Sequence, residues 1–404
     1  MALKHMLVRK DTSIKARVLF LRSNPIAPDP RVEKEARTLT EHGYHVEILG
    51  WDRTALLPRE EKQEFGEIHR IALEAPFSQG LKNLPNMIRW QLTLLSWLWK
   101  HRDNFDIVHA CDFDTVMPAL LICKLFHKKL IYDIFDFYAD MLVHTPLLLK
   151  MLIKKLDLSV ISKADAVIIA DNRRKKQIKG SKPKLLEVIY NSLDDKYLKS
   201  QASATDSHEF KNQWDLRIVY VGLLQLERGL LEVMEVLERH PTWRFDLAGF
   251  GRDQEVVLRR AEHLNNVFFH GRIQYQQAIQ LMAQGDVLVA IYDPRIRNHR
   301  YSSPNKVFEA MALGKPIIVA KGMGIDRLIR KFKLGFVVNY GDVTHLENIL
   351  FHISQWSKDE KERFSLYART IYAKYFDWKI MARRLLRLYE KVNLSQLDKE
   401  TIRT

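Results

Sequence analysis

Twice along this chain, short runs of β-branched and apolar residues alternate with stretches long enough to form helices, and that alternation restricts the fold more than any other feature. In the first half the runs are RVLFLR (Arg17 to Arg22), HVEILG (His45 to Gly50), DIVHAC (Asp106 to Cys111), KLIYDI (Lys129 to Ile134), AVIIAD (Ala166 to Asp171) and LEVIYN (Leu186 to Asn191). Runs that are apolar on both faces suit a parallel sheet covered on both sides by crossover helices. After the polar stretch SQASATDSH, Ser200 to His208, the alternation restarts with RIVYVG (Arg217 to Gly222), RFDLAG (Arg244 to Gly249), NVFFHG (Asn266 to Gly271), DVLVAIYD (Asp286 to Asp293), PIIVAK (Pro316 to Lys321) and GFVVN (Gly335 to Asn339). At 404 residues the chain exceeds what one core usually serves. The pattern predicts an α/β protein of two doubly wound, Rossmann-like parallel-sheet domains joined near residues 192–215. Such sheets bind ligands beyond the carboxyl ends of their strands, so a cleft between two facing sheets is the expected active site.

Charge and cysteine content narrow the function. Cys111 and Cys123 are the only cysteines, too few for a disulfide framework or a zinc site, which fits a reducing, cytoplasmic setting. The N-terminal MALKHMLVRKDTSIKA lacks the apolar core of a signal peptide, and no 18-residue uncharged apolar run occurs, so neither secretion by that route nor a membrane-spanning helix is expected. The net charge is +15, and residues 141–199 hold thirteen Lys/Arg against six Asp/Glu around the cluster Arg173, Arg174, Lys175 and Lys176. With no zinc finger or RNP-like strand, nucleic acid is set aside as a partner. The excess suits an anionic membrane surface or a solvated helix face. Two further segments carry the same pair of readings, packed helix or interfacial helix: the stretch around Trp90, Trp97 and Trp99, and Thr145 to Leu158, where leucines mix with Lys150, Lys154 and Lys155.

The segment SSPNKVFEAMALGKPII, Ser302 to Ile318, reads as a helix built to hold a phosphorylated ligand. Pro304 suits the first helical position and Ser303 the cap, so the free N–H groups around Asn305 and Lys306 point out of a helix end that attracts anions. Glu309 lies one turn further along, and Gly314 closes the helix. An ordinary amphipathic helix with an exposed Lys/Glu pair is the alternative.

With this helix in the second of two doubly wound domains, the chain resembles the GT-B nucleotide-sugar glycosyltransferases, specifically the retaining family 4 within group 1. FEAMALGKPII is similar to the family's donor-site helix and following strand. YVGLLQLERGL (Tyr220 to Leu230) sits where the family has its phosphate-binding loop, LAGFG (Leu247 to Gly251) resembles the glycine turn beside the nucleotide, and HGRI (His270 to Ile273) the segment bordering the base. PDPRVEKEARTLTEHGYHVEILGWDR (Pro28 to Arg53) and DIVHACDFDTVMPALL (Asp106 to Leu121) are family-like in the first half.

The resemblance implies an acceptor domain over residues 1–195, rejoined by a C-terminal crossover helix near 377–392, and a donor domain over 196–376. It implies a metal-independent hexosyltransferase that needs no cofactor and uses a UDP- or GDP-sugar on a glycan or lipid-linked acceptor. Arg228 and Lys306 would stabilise the departing diphosphate; Gly222, Gly249, Gly251, Ile273, Ser303, Asn305 and Glu309 would surround the nucleotide, with Glu309 accepting from ribose hydroxyls. His109 is a candidate for the cleft floor, and Asp136 or Asp133 for a polar role near the sugar. Three positions depart from the family pattern. Leu223 stands where a cation is common, Tyr301 where a second glutamate is common, and Phe135 where many relatives place a histidine. A GT-B nucleotide-sugar epimerase and a nucleotide-sugar-binding protein without catalysis are the alternative readings.

Overall fold

A computed structural model describes residues 14–76, 83–142, 145–194, 197 and 214–401, with side chains through residue 394. Residues 1–13, the polar stretch Ser200 to His208 and most of the expected linker lie outside the described residues. The chain divides into two units, one of residues 1–169, 178–187 and 384–404 and one of residues 170–177 and 188–383. The division falls earlier than residue 195, and residues 170–177 join the second unit.

The first unit is built on a sheet of β1 (Arg17–Arg22), β2 (His45–Asp52), β3 (Glu60–Gln63), β4 (Gly66–Ala72), β5 (Ile107–Cys111), β6 (Lys129–Ile134), β7 (Ala166–Ile169) and β8 (Leu186–Val188), in the order β3-β4-β2-β1-β5-β6-β7-β8. Its helices are α1 (Pro30–Glu41), α2 (Leu84–Lys100), α3 (Phe113–Leu125), α4 (Tyr138–Met141) and α5 (Leu147–Lys163). β5 and β6 are buried at every residue, as strands covered on both faces must be. The pair β3 and β4 is absent from the sequence reading. EEKQ alternates exposed with half-buried polar residues and pairs antiparallel at the sheet's edge, so it carries no apolar signature.

The second unit holds β9 (Leu216–Leu223), β10 (Trp243–Phe250), β11 (Val267–Phe269), β12 (Val287–Ala290), β13 (Ile317–Ala320) and β14 (Gly335–Val338), ordered β11-β10-β9-β12-β13-β14. Around it run α6 (Leu230–Arg239), α7 (Gln254–Ala261), α8 (Tyr275–Gln284), α9 (Asn305–Leu313), α10 (Asp326–Phe332), α11 (Val343–Ser354) and α12 (Lys358–Tyr375). The last helix, α13 (Trp378–Thr401), belongs to this unit through Arg383 and to the first from Arg384. All pairings of the second sheet are parallel. Strand order reverses between β9 and β12, which makes their carboxyl ends the switch point where a ligand can enter.

α9 is buried from Lys306 to Leu313, as a helix apolar on most sides must be. Gly314 ends it with φ +69°, and a Cβ there would come 2.2 Å from Ser365 Oγ of α12. One residue without a side chain therefore both stops the helix and lets α12 pack against it. Among the described residues no helix is long and apolar enough to cross a membrane.

Candidate active site

The switch point of the second unit gathers the predicted phosphate-binding elements. Gly222, near the end of β9, has φ +154°, and a Cβ there would lie 2.6 Å from Lys306 Nζ; glycine leaves the ammonium its place. Gly249 and Gly251 have a different reason for being glycine. Gly249 pairs with Gly222 in register, and a Cβ on it would sit 1.8 Å from the Gly222 carbonyl oxygen, while one on Gly251 would sit 2.2 Å from that of Leu224. Backbone crowding between two strand ends dictates them. Just beyond, the half-exposed Phe250 ring lies under the Arg272 guanidinium at 4.7 Å, and Ile273 packs on the core.

The end of α9 differs by one residue from the sequence reading. Pro304 is extended (φ −60°, ψ 130°) and is itself the cap, so Asn305 is the first helical residue, and Ser303 makes no capping bond. Because proline has no N–H to satisfy, the helix starts after it. Among the described residues the N–H groups of Asn305 and Lys306 have no backbone acceptor, whereas that of Val307 donates to the Pro304 carbonyl. Ser303 is buried and its Oγ has no partner. Asn305 is exposed.

Lys306 and Arg228 converge on Tyr292. Lys306 Nζ donates to the Tyr292 hydroxyl at 3.2 Å and lies 4.4 Å from the centre of the Tyr220 ring. The Arg228 guanidinium stacks 3.9 Å over the Tyr292 ring, with its Nε bonded to Gln225 Oε1 at 3.1 Å. The turn carrying Arg228 is fixed against β12's tail, because the Asp293 N–H donates to the Glu227 carbonyl at 2.9 Å and Gly229 (φ +70°) leaves room for Ile291. Burial alone would raise the Tyr292 phenol; Lys306 and Arg228 outweigh it and hold it below its usual value. Tyr292 was hidden in the sequence because DVLVAIYD reads as one apolar strand. Its signal was a lone hydroxyl two residues past the strand's end.

Glu309 does not share Lys306's surroundings. Its Oε1 accepts from the Tyr275 hydroxyl of α8 at 2.7 Å, and it is buried. One helical turn separates the two residues in rise, yet their side chains bond to different neighbours.

In the first unit the corresponding switch point lies between β1 and β5. Asp112, the first residue past β5, has φ 65° and ψ 169°, a region that residues other than glycine occupy only when their surroundings compel it. Its Oδ1 accepts from the Phe135 N–H at 2.9 Å and from the Asp136 N–H at 3.2 Å, and its other oxygen binds Arg22. Burial, joined by Asp114 and Asp136 and opposed by Arg22, pushes its carboxyl up to about 6. Asp136 is thus near the strand ends as expected, at least through its backbone, and half-buried. Phe135, expected where many relatives place a histidine, has a ring lying 4.2 Å from the Arg22 guanidinium and 4.7 Å from that of Arg31.

Two sequence-predicted residues are corrected here. His109 does not line an open floor: it has no exposed surface, stacks on Phe20 at 4.2 Å and pairs its Nδ1 with the Tyr389 hydroxyl at 2.8 Å. Asp133 is equally enclosed and is bound by Arg31 Nη2 at 2.9 Å and Nε at 3.1 Å. A β-strand whose two faces are both covered buries every side chain, whatever its polarity.

Glu35, His109 and Asp133 present ligand atoms within 4.8 Å of one another, the metal-like grouping found among the described residues. Arg31 already supplies positive charge there, so an added cation would meet repulsion. Burial, aided by Asp133 and opposed by Arg31, raises the Glu35 carboxyl to about 8 from an ordinary 4.5. A carboxyl raised on folding adds stability below its unfolded value and loses it as pH climbs through the folded one. Stability should therefore fall between about pH 5 and pH 8, by about 1.4 kcal/mol for each pH unit crossed, and Glu35→Gln should flatten that fall in denaturant titrations. Equal slopes for both proteins would refute this protonation state.

The basic cluster is also rearranged. Arg173 is tied to Asp171 by Nε and Nη2 and Arg174 is buried against Gln177, leaving Lys175 and Lys176 exposed. All four belong to the second unit rather than the half expected to hold the acceptor. They form no continuous basic face.

Comparison with known proteins agrees with these features. The family model described as "Glycosyl transferases group 1" matches residues 215–354, and that described as "Glycosyltransferase Family 4" matches residues 31–197. Spore coat protein SA of Bacillus subtilis is 26% identical over 189 residues, 43% of this chain and 48% of that protein, so the match spans about half of this curated relative. Sucrose-phosphate synthase from Thermosynechococcus elongatus superposes with a TM-score of 0.74 at 15% identity, over 94% of this chain and all of the other. HepE of Anabaena, in complex with UDP and glucose, gives 0.68 at 17% identity, over 93% of this chain and all of the other.

Proposed function

The chain belongs to the GT-B glycosyltransferases of group 1, and from that premise we propose that it moves a hexose or N-acetylhexosamine from a UDP- or GDP-sugar to a glycan or lipid-linked acceptor, with retention at the anomeric carbon. One observation carries the donor side. At the switch point of the second sheet, Lys306 and Arg228 flank one phenol beside a helix end with open N–H groups and an unpartnered buried hydroxyl on Ser303. As the bond from the anomeric carbon to the diphosphate breaks, negative charge grows on the leaving oxygens, and fixed cations and helix-end N–H groups stabilise it without reorganising. Tyr292 holds both cations in place, and Arg228 with Lys306 offsets the cation that Leu223 does not supply. The UDP in HepE supports a nucleoside diphosphate donor.

Asp112, with its carboxyl near 6 and two backbone N–H groups aimed at it, serves the acceptor side in place of the family's histidine. It orients an acceptor hydroxyl or the sugar, while a phosphate oxygen takes the proton in the retaining reaction.

The test is incubation with labelled UDP- and GDP-hexoses and N-acetylhexosamines, with glycan or membrane extract and with or without EDTA. Transfer that persists in EDTA is expected, since Arg228 and Lys306 supply the positive charge. Interconversion of the free nucleotide sugar would overturn the transfer reading, and complete loss on chelation that magnesium or manganese restores would overturn metal independence.

A further inference from the structure

Among the described residues, the first unit carries an apolar face that its own fold leaves uncovered. α3 packs between α2 and α5, and each of the three turns leucines outward. On α2 the core takes Trp90, Leu94 and Leu98, whereas Ile88, Leu92 and Trp99 on its other side are all more than half exposed. α3 adds Leu121 and Leu125. On α5 the only buried residues are Asp157, Val160 and Ile161, so the first ten residues of this helix bury none of their side chains fully. Leu147 and Leu148 are 71% and 83% exposed, with Leu152 beside them. A shallow groove of about 780 Å³ runs between α2 and α3 and ends at Lys163, the last residue of α5; it is lined by Leu92, Leu95, Pro118, Leu121 and Lys124 among others. The groove joins the leucines of α2 and α3, and α5, packed on α3's other side, adds its own exposed stripe.

Its charge is one-sided. The three helices hold seven Lys and Arg residues: Arg89, Lys100, Lys124, Lys150, Lys154, Lys155 and Lys163. Their carboxylates are two, Asp157, wholly buried and bonded to the Tyr132 hydroxyl at 2.9 Å, and Asp114, held at the start of α3 toward Ser23 and Arg22. On the three helices themselves no exposed carboxylate interrupts the leucines; Glu60 and Glu67 of the neighbouring strands approach only the Leu92–Trp97 edge of α2. Exposed leucines beside lysines on the same helices, with Lys150 alone bonded back to the Leu142 carbonyl at 3.2 Å among the described contacts, have the chemistry of interfacial membrane helices.

We propose that the α2–α3–α5 face of the first unit docks on an anionic lipid bilayer, the leucines and Trp99 entering the headgroup boundary and the lysines meeting lipid phosphates. This surface is separate from the Arg173–Lys176 cluster and independent of the donor-site reading. A second copy of the chain would need exposed carboxylates opposite the seven cations, and these helices present none.

The test is co-sedimentation of the full chain with phosphatidylcholine vesicles and with vesicles containing phosphatidylglycerol, at low and high salt, with nucleotide binding measured in parallel. The wild type should bind the anionic vesicles at low salt, bind less at high salt, and shift its tryptophan emission to the blue as Trp99 leaves water. Leu148→Asp with Leu152→Asp should lower vesicle binding at least tenfold, as should Lys154→Glu with Lys155→Glu, and all four should leave nucleotide affinity unchanged. Because these side chains are exposed or half-exposed, the substitutions spare the core. Failure of the wild type to bind anionic vesicles at low salt overturns the proposal, as does vesicle binding that survives both pairs. Self-association that Leu148→Asp with Leu152→Asp abolishes, without vesicle binding, would assign the face to a second copy and overturn it too.

Discussion

Lys306→Met is expected to lower sugar transfer by about a hundredfold to a thousandfold, the range for losing one fixed charge partner of a transition state in a shielded site. Methionine keeps the stem that crosses the Tyr220 ring and removes the ammonium 3.2 Å from the Tyr292 hydroxyl, so the fold should survive. Single-turnover rates with saturating donor separate this loss from weaker binding. Glu309→Ala should act on affinity instead, by about tenfold to a hundredfold, because its carboxylate accepts from the Tyr275 hydroxyl and is assigned to the ribose rather than to the departing diphosphate. Near-wild-type kinetics for Lys306→Met would remove the donor-site assignment, whatever Glu309→Ala does.

The largest stability effect should come from Arg31→Ala, at about 3 to 5 kcal/mol, the usual cost of leaving a buried charge without its partner. Arg31 is the cation bound to Asp133, both are almost wholly buried, and Glu35 and His109 sit alongside. Burial opposes the Asp133 charge, and Arg31 with His109 holds its carboxyl below the ordinary range. Without the guanidinium that carboxylate must take up a proton or unfold the unit. Pairing Arg31→Met with Asp133→Asn should recover most of the loss, since a buried pair replaced together leaves nothing uncompensated. Denaturant midpoints for the single and double variants decide it. A double variant no more stable than Arg31→Ala would mean that the arginine acts through packing on Phe135 and not through charge.

The twelve strand segments read from the sequence all reappear, with ends shifted by a residue or a few, because their apolar runs are what a sheet covered on both faces requires. The charged edge strand β3 escaped because an edge strand needs no such run, and β4, GEIHRIA, escaped although it lies inside the sheet and buries Ile68. Polar residues inside the covered strands were the harder case. His109 and Asp133 end apolar runs and look available to a ligand, yet the neighbours that enclose them are Phe20, Arg31 and Tyr389, distant in sequence. Asp112 was legible only as a residue just past a strand, which nothing local distinguishes from an ordinary turn, and Tyr292 was hidden inside the run DVLVAIYD, whose strand ends at Ala290.

Sequence alone determined the two doubly wound sheets, the presence of the Lys306–Glu309 helix and its closure at Gly314, though not its start, which it placed one residue early, because each depends on local periodicity or on one residue's backbone freedom. It also determined the side of the second sheet on which Lys306 and Arg228 lie, as both follow strand ends. Tertiary structure alone decided what those cations touch, which of the basic residues near 173 are free, and which stripe of α2 meets the core. Trp90, Leu94 and Leu98 are as hydrophobic as Ile88, Leu92 and Trp99, and a helix apolar on two sides states that it has two faces to cover without stating which one the sheet will take.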